Sequence, residues 1–195
     1  MYGIYDGVNV IAQFATPMLV RSNDPVFASD TLSLKRDVSK RPAQRWEVET
    51  VLAYLAEGAE KLMVNLVTKG SSETTQIITP QNIGVIRRRE ATVSVTATGL
   101  QDGSVITITD PGGLIPMGTF VKFNSQSKVY MLTQDISSAG SVGIYPNLRT
   151  SINSEMKYSD DVIMTCYYDV DVIKGMSFID GVLMDNGTIK LVEDV

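Results

Sequence analysis

Hydrophobic and polar residues alternate along much of the chain with the period of two that is typical of β-strands. The pattern is clearest in two runs, residues 121–124 and 129–134, which flank the turn-prone segment Ser125–Gln126–Ser127. These runs predict a β-hairpin. A third, short strand is predicted over residues 142–145, and Pro146 is expected to end it because proline has no N–H group to donate to a sheet.

Two further β-rich runs, residues 92–98 and 105–109, precede this hairpin, and the Asp-Pro-Gly-Gly segment at 110–113 is a strong turn signal. Five strands within about sixty residues, joined only by turns, match the size of a small Greek-key barrel. The polar segment 157–161 follows and is expected to lead back to the first domain. We therefore predict a small Greek-key β-barrel over residues 91–159, inserted into another domain.

The residues on either side of this insert, 1–90 and 160–195, are predicted to form one discontinuous β-sandwich domain. Apolar residues from Leu52 to Leu66 recur at helical spacing and predict a helix over about residues 54–68. Residues 1–30 predict an extended arm with short strands that packs on the main domain or on a neighbouring subunit. Strands are predicted over 31–36, 45–50, 76–78, 85–86 and 164–172, and a terminal hairpin joins 178–184 to 188–192 through Asn186–Gly187.

Composition narrows the function. The chain has 195 residues, of which 44% are hydrophobic and 20% charged, so it is expected to fold around one sizeable core or two small ones. A net charge of −5 argues against a dedicated nucleic-acid binder, whose affinity depends on Lys and Arg. The apolar runs are too short to span a bilayer and the N-terminus lacks a signal-peptide pattern, so we expect neither membrane anchoring nor standard export.

Few residues are candidates for chemistry. The chain has no histidine, which removes thiol–imidazole pairs, serine-type triads and zinc sites of the usual kind. Cys166, the only cysteine, is interpreted as a core residue and not as a nucleophile, and it fits assembly in a reducing cytoplasm. We therefore expect no enzymatic activity, no catalytic or cofactor-binding residues, and no cofactor or metal.

Three other features have two readings each. Trp46, the only tryptophan, is either a core residue or a stacking platform for a sugar or base, and its place in an alternating strand favours the core. Residues 87–89 are three arginines. They form either a patch that binds phosphates or an acidic partner protein, or part of a solvated linker between the two domains. Asp169 and Asp171 share a strand face and could hold calcium, although hydrated carboxylates are the more common case.

Several segments together resemble the distal tail proteins of long-tailed bacteriophages. The most specific are Val129–Tyr130 and Tyr145–Arg149, and Asn23–Pro25, Arg45–Glu49 and Asp185–Thr188 fall in the order that this family shows. The resemblance extends over about residues 18–195. The N-terminal arm of about 17 residues has no counterpart in the family, and it is a candidate to bind a sheath or wedge protein.

The resemblance implies that the barrel is OB-like and is inserted into a tail-tube-like, ring-forming domain. It also implies a structural virion protein at the tail tip or baseplate, assembled in the host cytoplasm. It implies a homo-oligomeric ring, hexameric in that family, that joins the tail tube protein to the baseplate hub and surrounds the DNA ejection channel. The alternative is a carbohydrate-binding module of the OB-like type that attaches to the host surface, with Phe120, Phe123, Tyr130 and Tyr145 as its candidate aromatic residues.

Overall fold

The computed structural model describes residues 3–15, 17–30, 36–40, 43–53, 59–70, 72–78, 93–158, 162–169, 177–179, 182–185 and 188–195. The described part is mainly β with one helix, and it contains a closed β-barrel beside a separate sheet, which confirms the predicted fold class. The strands before the barrel are β1 (Gly3–Tyr5), β2 (Val10–Phe14), β3 (Leu19–Asn23), β4 (Val26–Asp30), β5 (Arg36–Lys40), β6 (Arg45–Ala53) and β7 (Thr75–Ile78), with helix α1 (Ala59–Lys69) before β7. The barrel strands are β8 (Val95–Gly99), β9 (Val105–Ile108), β10 (Phe120–Phe123), β11 (Val129–Leu132), β12 (Gly140–Tyr145) and β13 (Ile152–Tyr158). The remaining strands are β14 (Ile163–Tyr168), β15 (Ser177–Ile179), β16 (Val182–Asp185) and β17 (Thr188–Glu193).

The larger sheet has seven strands in the order β17-β14-β7-β1-β2-β6-β3. It curls back on itself, because β6 pairs with β17 along one edge and with β2 and β3 along the other. Its strands come from both sides of the barrel segment, so the chain leaves the sheet after β7 and re-enters it at β14. Of the strands in this sheet, β3 alone has one strand neighbour among the described residues.

The barrel closes with six strands in the order β10-β11-β12-β9-β8-β13. The predicted hairpin is confirmed as β10 and β11, in which Val121 lies opposite Tyr130. Strand β12 ends at Tyr145, directly before Pro146, as predicted. The prediction of five strands was wrong, because β13 pairs with both β8 and β10 and is the strand that closes the barrel.

The N-terminal segment forms short strands, as predicted, and the first three are part of the large sheet. Strands β1 and β2 form a hairpin inside the sheet, and β1 also pairs with β7. A side chain at Gly3 would place its Cβ 2.0 Å from the carbonyl oxygen of Ala12, so this close strand contact requires glycine. Ile4, Ile11 and Phe14 are buried in the core of the sheet. Residues 3–14 pack on their own domain, which is the first of the two predicted alternatives. Binding of a sheath or wedge protein by the N-terminal segment stays a prediction.

The predicted helix is present, and its described part is α1, Ala59–Lys69. Leu52, which was predicted to start the helical pattern, lies in strand β6 and is buried there. Residues 54–58 lie outside the described part of the chain, and the helix is described from Ala59 to Lys69. Leu62 and Leu66 pack on the core of the sheet, whereas Met63, Val64 and Val67 are exposed.

Two pairs of strands form separate two-stranded ribbons, β4 with β5 and β15 with β16. The predicted terminal hairpin between residues 178–184 and 188–192 is not among the described pairings, because β16 pairs with β15 and β17 pairs with β6 and β14. The turn at 186–187 lies outside the described residues, as do positions 31–35 of the predicted strand 31–36 and all of 85–86.

Candidate functional site

Trp46 lies where the barrel rests on the sheet. Its side chain is 3% exposed, and its indole Nε1–H donates a 2.9 Å hydrogen bond to the carbonyl oxygen of Val129 in barrel strand β11. Its ring meets Phe120 of β10 edge-on with 5.1 Å between the ring centroids, and Tyr145 of β12 at 6.0 Å. The core interpretation of Trp46 therefore agrees with the structure, but the core is one that sheet and barrel share. Phe120 and Val129 belong to the same buried cluster as Ile4 and Leu191 of the sheet.

Glu193, at the end of β17, collects hydrogen bonds from both parts. Its carboxylate accepts the backbone N–H of Trp46 at 3.0 Å and the backbone N–H of Val129 at 2.8 Å. It also forms an ion pair with the Lys128 ammonium group, and both side chains are almost fully buried. One carboxylate thus joins a strand of the sheet to the first residues of β11.

Burial of Lys128 is costly. Removal from water is the main cause that lowers the pKa of Lys128 to about 8, and the neighbouring Glu193 carboxylate offsets this only in part. Lys122 of β10 donates a 2.8 Å hydrogen bond to the carbonyl oxygen of Ile163 in β14, and burial lowers its pKa as well. Charged groups are rarely retained in an interior unless they are paired, so the contact between sheet and barrel is polar as well as apolar.

A second set of hydrogen-bonded side chains extends this contact toward strand β3. The Tyr145 hydroxyl donates to the Asp24 carboxylate and shares a 2.7 Å hydrogen bond with the Ser22 hydroxyl. The Arg149 guanidinium donates to the backbone oxygen of Gln44 at 3.1 Å. The Gln44 side-chain amide donates to Ser22, while its own oxygen is buried without a hydrogen-bond partner among the described residues. We refer to this contact between sheet and barrel as the junction. Its residues are Trp46, Phe120, Lys128, Val129 and Glu193, together with the hydrogen-bonded set Ser22, Asp24, Gln44, Tyr145 and Arg149.

The outward face of β3, β6 and β17 carries a network of ion pairs. Arg21 contacts Glu47 at 3.5 Å and Glu49 at 2.6 Å, and Lys190 contacts Glu47 at 3.4 Å and Asp169 at 2.8 Å. Burial alone would raise the pKa of Glu47, but hydrogen bonds from Asn23 and Lys190 outweigh it and hold the pKa below its usual value. A shallow cavity of about 500 Å³ opens beside this network.

The structure places the candidate residues as follows. Cys166 is fully buried, and burial raises the pKa of its thiol, so the described surroundings favour the core interpretation over a nucleophile. Phe120, Phe123 and Tyr130 are buried, and Tyr145 is half-buried against Trp46. Asp169 is paired with Lys190, and no group of carboxylates suited to a metal occurs within the described residues. Asp171 and the arginines at 87–89 lie outside them.

Sequence reasoning missed Lys128 and Glu193. The only signal for Glu193 is its register, since it follows Ile189 and Leu191 at alternate, inward-facing positions of β17. A carboxylate at such a position needs a buried partner, but the pattern does not say which. Lys128 stands beside a turn, where a lysine is ordinarily solvated, and carries no signal of its own.

Neither a scan against models of protein families nor a search of curated proteins found a match for this chain. Among the described residues, the helix falls short of the length and hydropathy that a membrane span requires.

Proposed function

We propose that this chain is a structural component of a bacteriophage tail, a distal tail or baseplate protein that assembles into a ring. In this proposal the ring is hexameric, joins the tail tube to the baseplate hub and surrounds the channel through which DNA leaves. The role is structural and not enzymatic. The observation that carries the proposal is the architecture, a closed barrel spliced between β7 and β14 of a sheet, because this is the arrangement that the sequence resemblance implies.

The strand edges support self-assembly. Strand β3 has one strand neighbour among the described residues, so within that part of the chain one row of its backbone N–H and C=O groups has no strand partner. The β4–β5 ribbon follows β3 directly and pairs only with itself in the described part of the chain. An isolated two-stranded ribbon is marginally stable in water, so it gains most from a partner outside its own subunit. A contact between the ribbon of one copy and a different surface of the next is heterologous, which is the kind of contact that generates a ring.

The carbohydrate-binding alternative has less support. Sugar sites of the barrel type need exposed aromatic rings, and three of the four candidate rings are buried in the core. The fourth, Tyr145, is engaged with Trp46, Ser22 and Asp24 at the junction. This alternative would therefore have to use side chains that the sequence analysis did not single out.

The experiment that tests the proposal compares assembly of the natural chain with that of a ribbon variant. In the variant, residues 26–40 are replaced by a short Gly/Ser linker, and native mass spectrometry measures the copy number of both proteins. We expect a closed oligomer for the natural chain and folded monomers for the variant, because the described ribbon residues pair with no strand of the main sheet. Monomers of the natural chain at high concentration would contradict the proposed ring. A variant that still closes would show that the ribbon is not the ring contact.

A further inference from the structure

The junction has more specific polar bonds than adhesion between two apolar surfaces would need. Trp46, Phe120 and Val129 already provide a buried apolar contact between sheet and barrel. Apolar contacts are not directional, so they hold two bodies together without selecting one orientation strongly. Replacement of a buried ion pair by apolar residues is often neutral or stabilising, which means that the Lys128–Glu193 pair is poorly explained as a source of stability.

The bonds around Val129 are directional. Its backbone N–H donates to Glu193 and its backbone carbonyl accepts from the Trp46 indole, so residues of the sheet hold both polar groups of one barrel residue. Glu193 in turn accepts from the backbone of Trp46 and from Lys128. Rotation of the barrel by a small angle would break several of these bonds together and leave buried groups without partners, which is costly.

We propose that the bonds that converge on Glu193, from Lys128, Val129 and Trp46, lock the barrel in one orientation on the sheet. The barrel is then a rigid extension of the sheet domain and not a module on a flexible tether. This inference does not depend on the tail-ring proposal, since it concerns a single subunit. In any assembly, however, it would give every copy of the barrel the same direction.

The test measures the width of a distance distribution between the two parts. Spin labels are placed on cysteines introduced at Gln76 of the sheet and Thr98 of the barrel, two exposed positions, while the native Cys166 is buried and stays unlabelled. Double electron–electron resonance is recorded for the otherwise natural chain and for the variant K128M/E193L. The control is K157M/E155L, which removes an ion pair of 2.9 Å whose side chains are both about one-third exposed on the barrel surface.

We expect a narrow distribution for the natural chain and for the control, and one about twofold wider or more for K128M/E193L. The variant E193Q covers the case in which K128M/E193L does not fold. Glutamine offers one oxygen instead of two, so it cannot preserve the separate bonds to Trp46 and Val129, and it too should widen the distribution. A distance distribution as narrow as that of the natural chain, in either junction variant that folds, would contradict the proposal. If neither junction variant folds, the bonds are a condition of folding and the proposal is wrong.

Discussion

Replacement of Trp46 by alanine tests the shared core most sharply. Truncation of a buried tryptophan to alanine costs about 3–5 kcal/mol. The substitution also removes the indole N–H that the Val129 carbonyl accepts, and an unsatisfied buried acceptor costs about 1–3 kcal/mol more. Domains have total stabilities of about 5–15 kcal/mol, so the variant should lose a large part of its stability or fail to accumulate as soluble protein.

The assay is urea unfolding followed by far-UV circular dichroism, because the variant lacks its only fluorescent tryptophan. Trp46→Phe separates the two contributions, since it keeps most of the ring that meets Phe120 and should lose only about 1–3 kcal/mol with the hydrogen bond. Leu100→Ala is the control, because Leu100 is 79% exposed and its truncation should change stability by less than about 0.5 kcal/mol. A Trp46→Ala variant with the natural unfolding midpoint and lost sugar binding would refute the assignment of Trp46 to the core.

Three further predictions concern the barrel as a whole, Glu47 and Gly3. Replacement of residues 91–158 by a Gly/Ser linker should leave a shortened protein that folds. Its Trp46 fluorescence should be red-shifted, because the barrel residues that cover Trp46 are gone. An unfolded product would show that the sheet cannot form without the barrel. The folded-state pKa of Glu47 lies below its usual 4.5, so this residue stabilises the fold above pH 4.5 and the contribution is lost as the pH falls through the folded-state pKa. Glu47→Gln should therefore weaken the loss of stability at acid pH. An unchanged dependence of stability on acid pH would contradict the pairing of Glu47 with its neighbours. Gly3→Ala should lower the melting temperature markedly, since the added carbon would lie 2.0 Å from the backbone oxygen of Ala12 in β2. An unchanged melting temperature would mean that β1 and β2 can move apart at little cost.

Local sequence patterns predicted individual strands better than they predicted which strands pair with each other. The alternation around residues 121–134 predicted the β10–β11 hairpin, because a hairpin pairs residues that are close in the chain. Strand β13 was missed because the three positions between its buried residues Ile152 and Met156 are polar and are exposed or only partly covered. Its identity as a strand depends on pairing with β8, more than fifty residues away, and such pairing leaves no local signal.

The junction was also beyond local reasoning. Trp46 was correctly interpreted as a buried residue from the alternation of its strand, but the pattern could not show that Phe120 and Val129 of the barrel pack in the same core. Lys128 and Glu193 are 65 residues apart in the sequence and come from the barrel and the sheet, so no local pattern connects them. Leu52 was assigned to the helical pattern although it lies in β6, because it satisfies a helical spacing and a strand alternation equally well.

The most direct test of the proposed function is electron microscopy of the purified chain in negative stain at high concentration. The account predicts rings of six copies with a central hole. In a higher-resolution map of the ring, acidic residues of the sheet domain should dominate the inner wall, because a cationic wall would bind the phosphates of passing DNA and retard it. Monodisperse monomers that bind host polysaccharide, or a ring with an arginine-lined lumen, would contradict it.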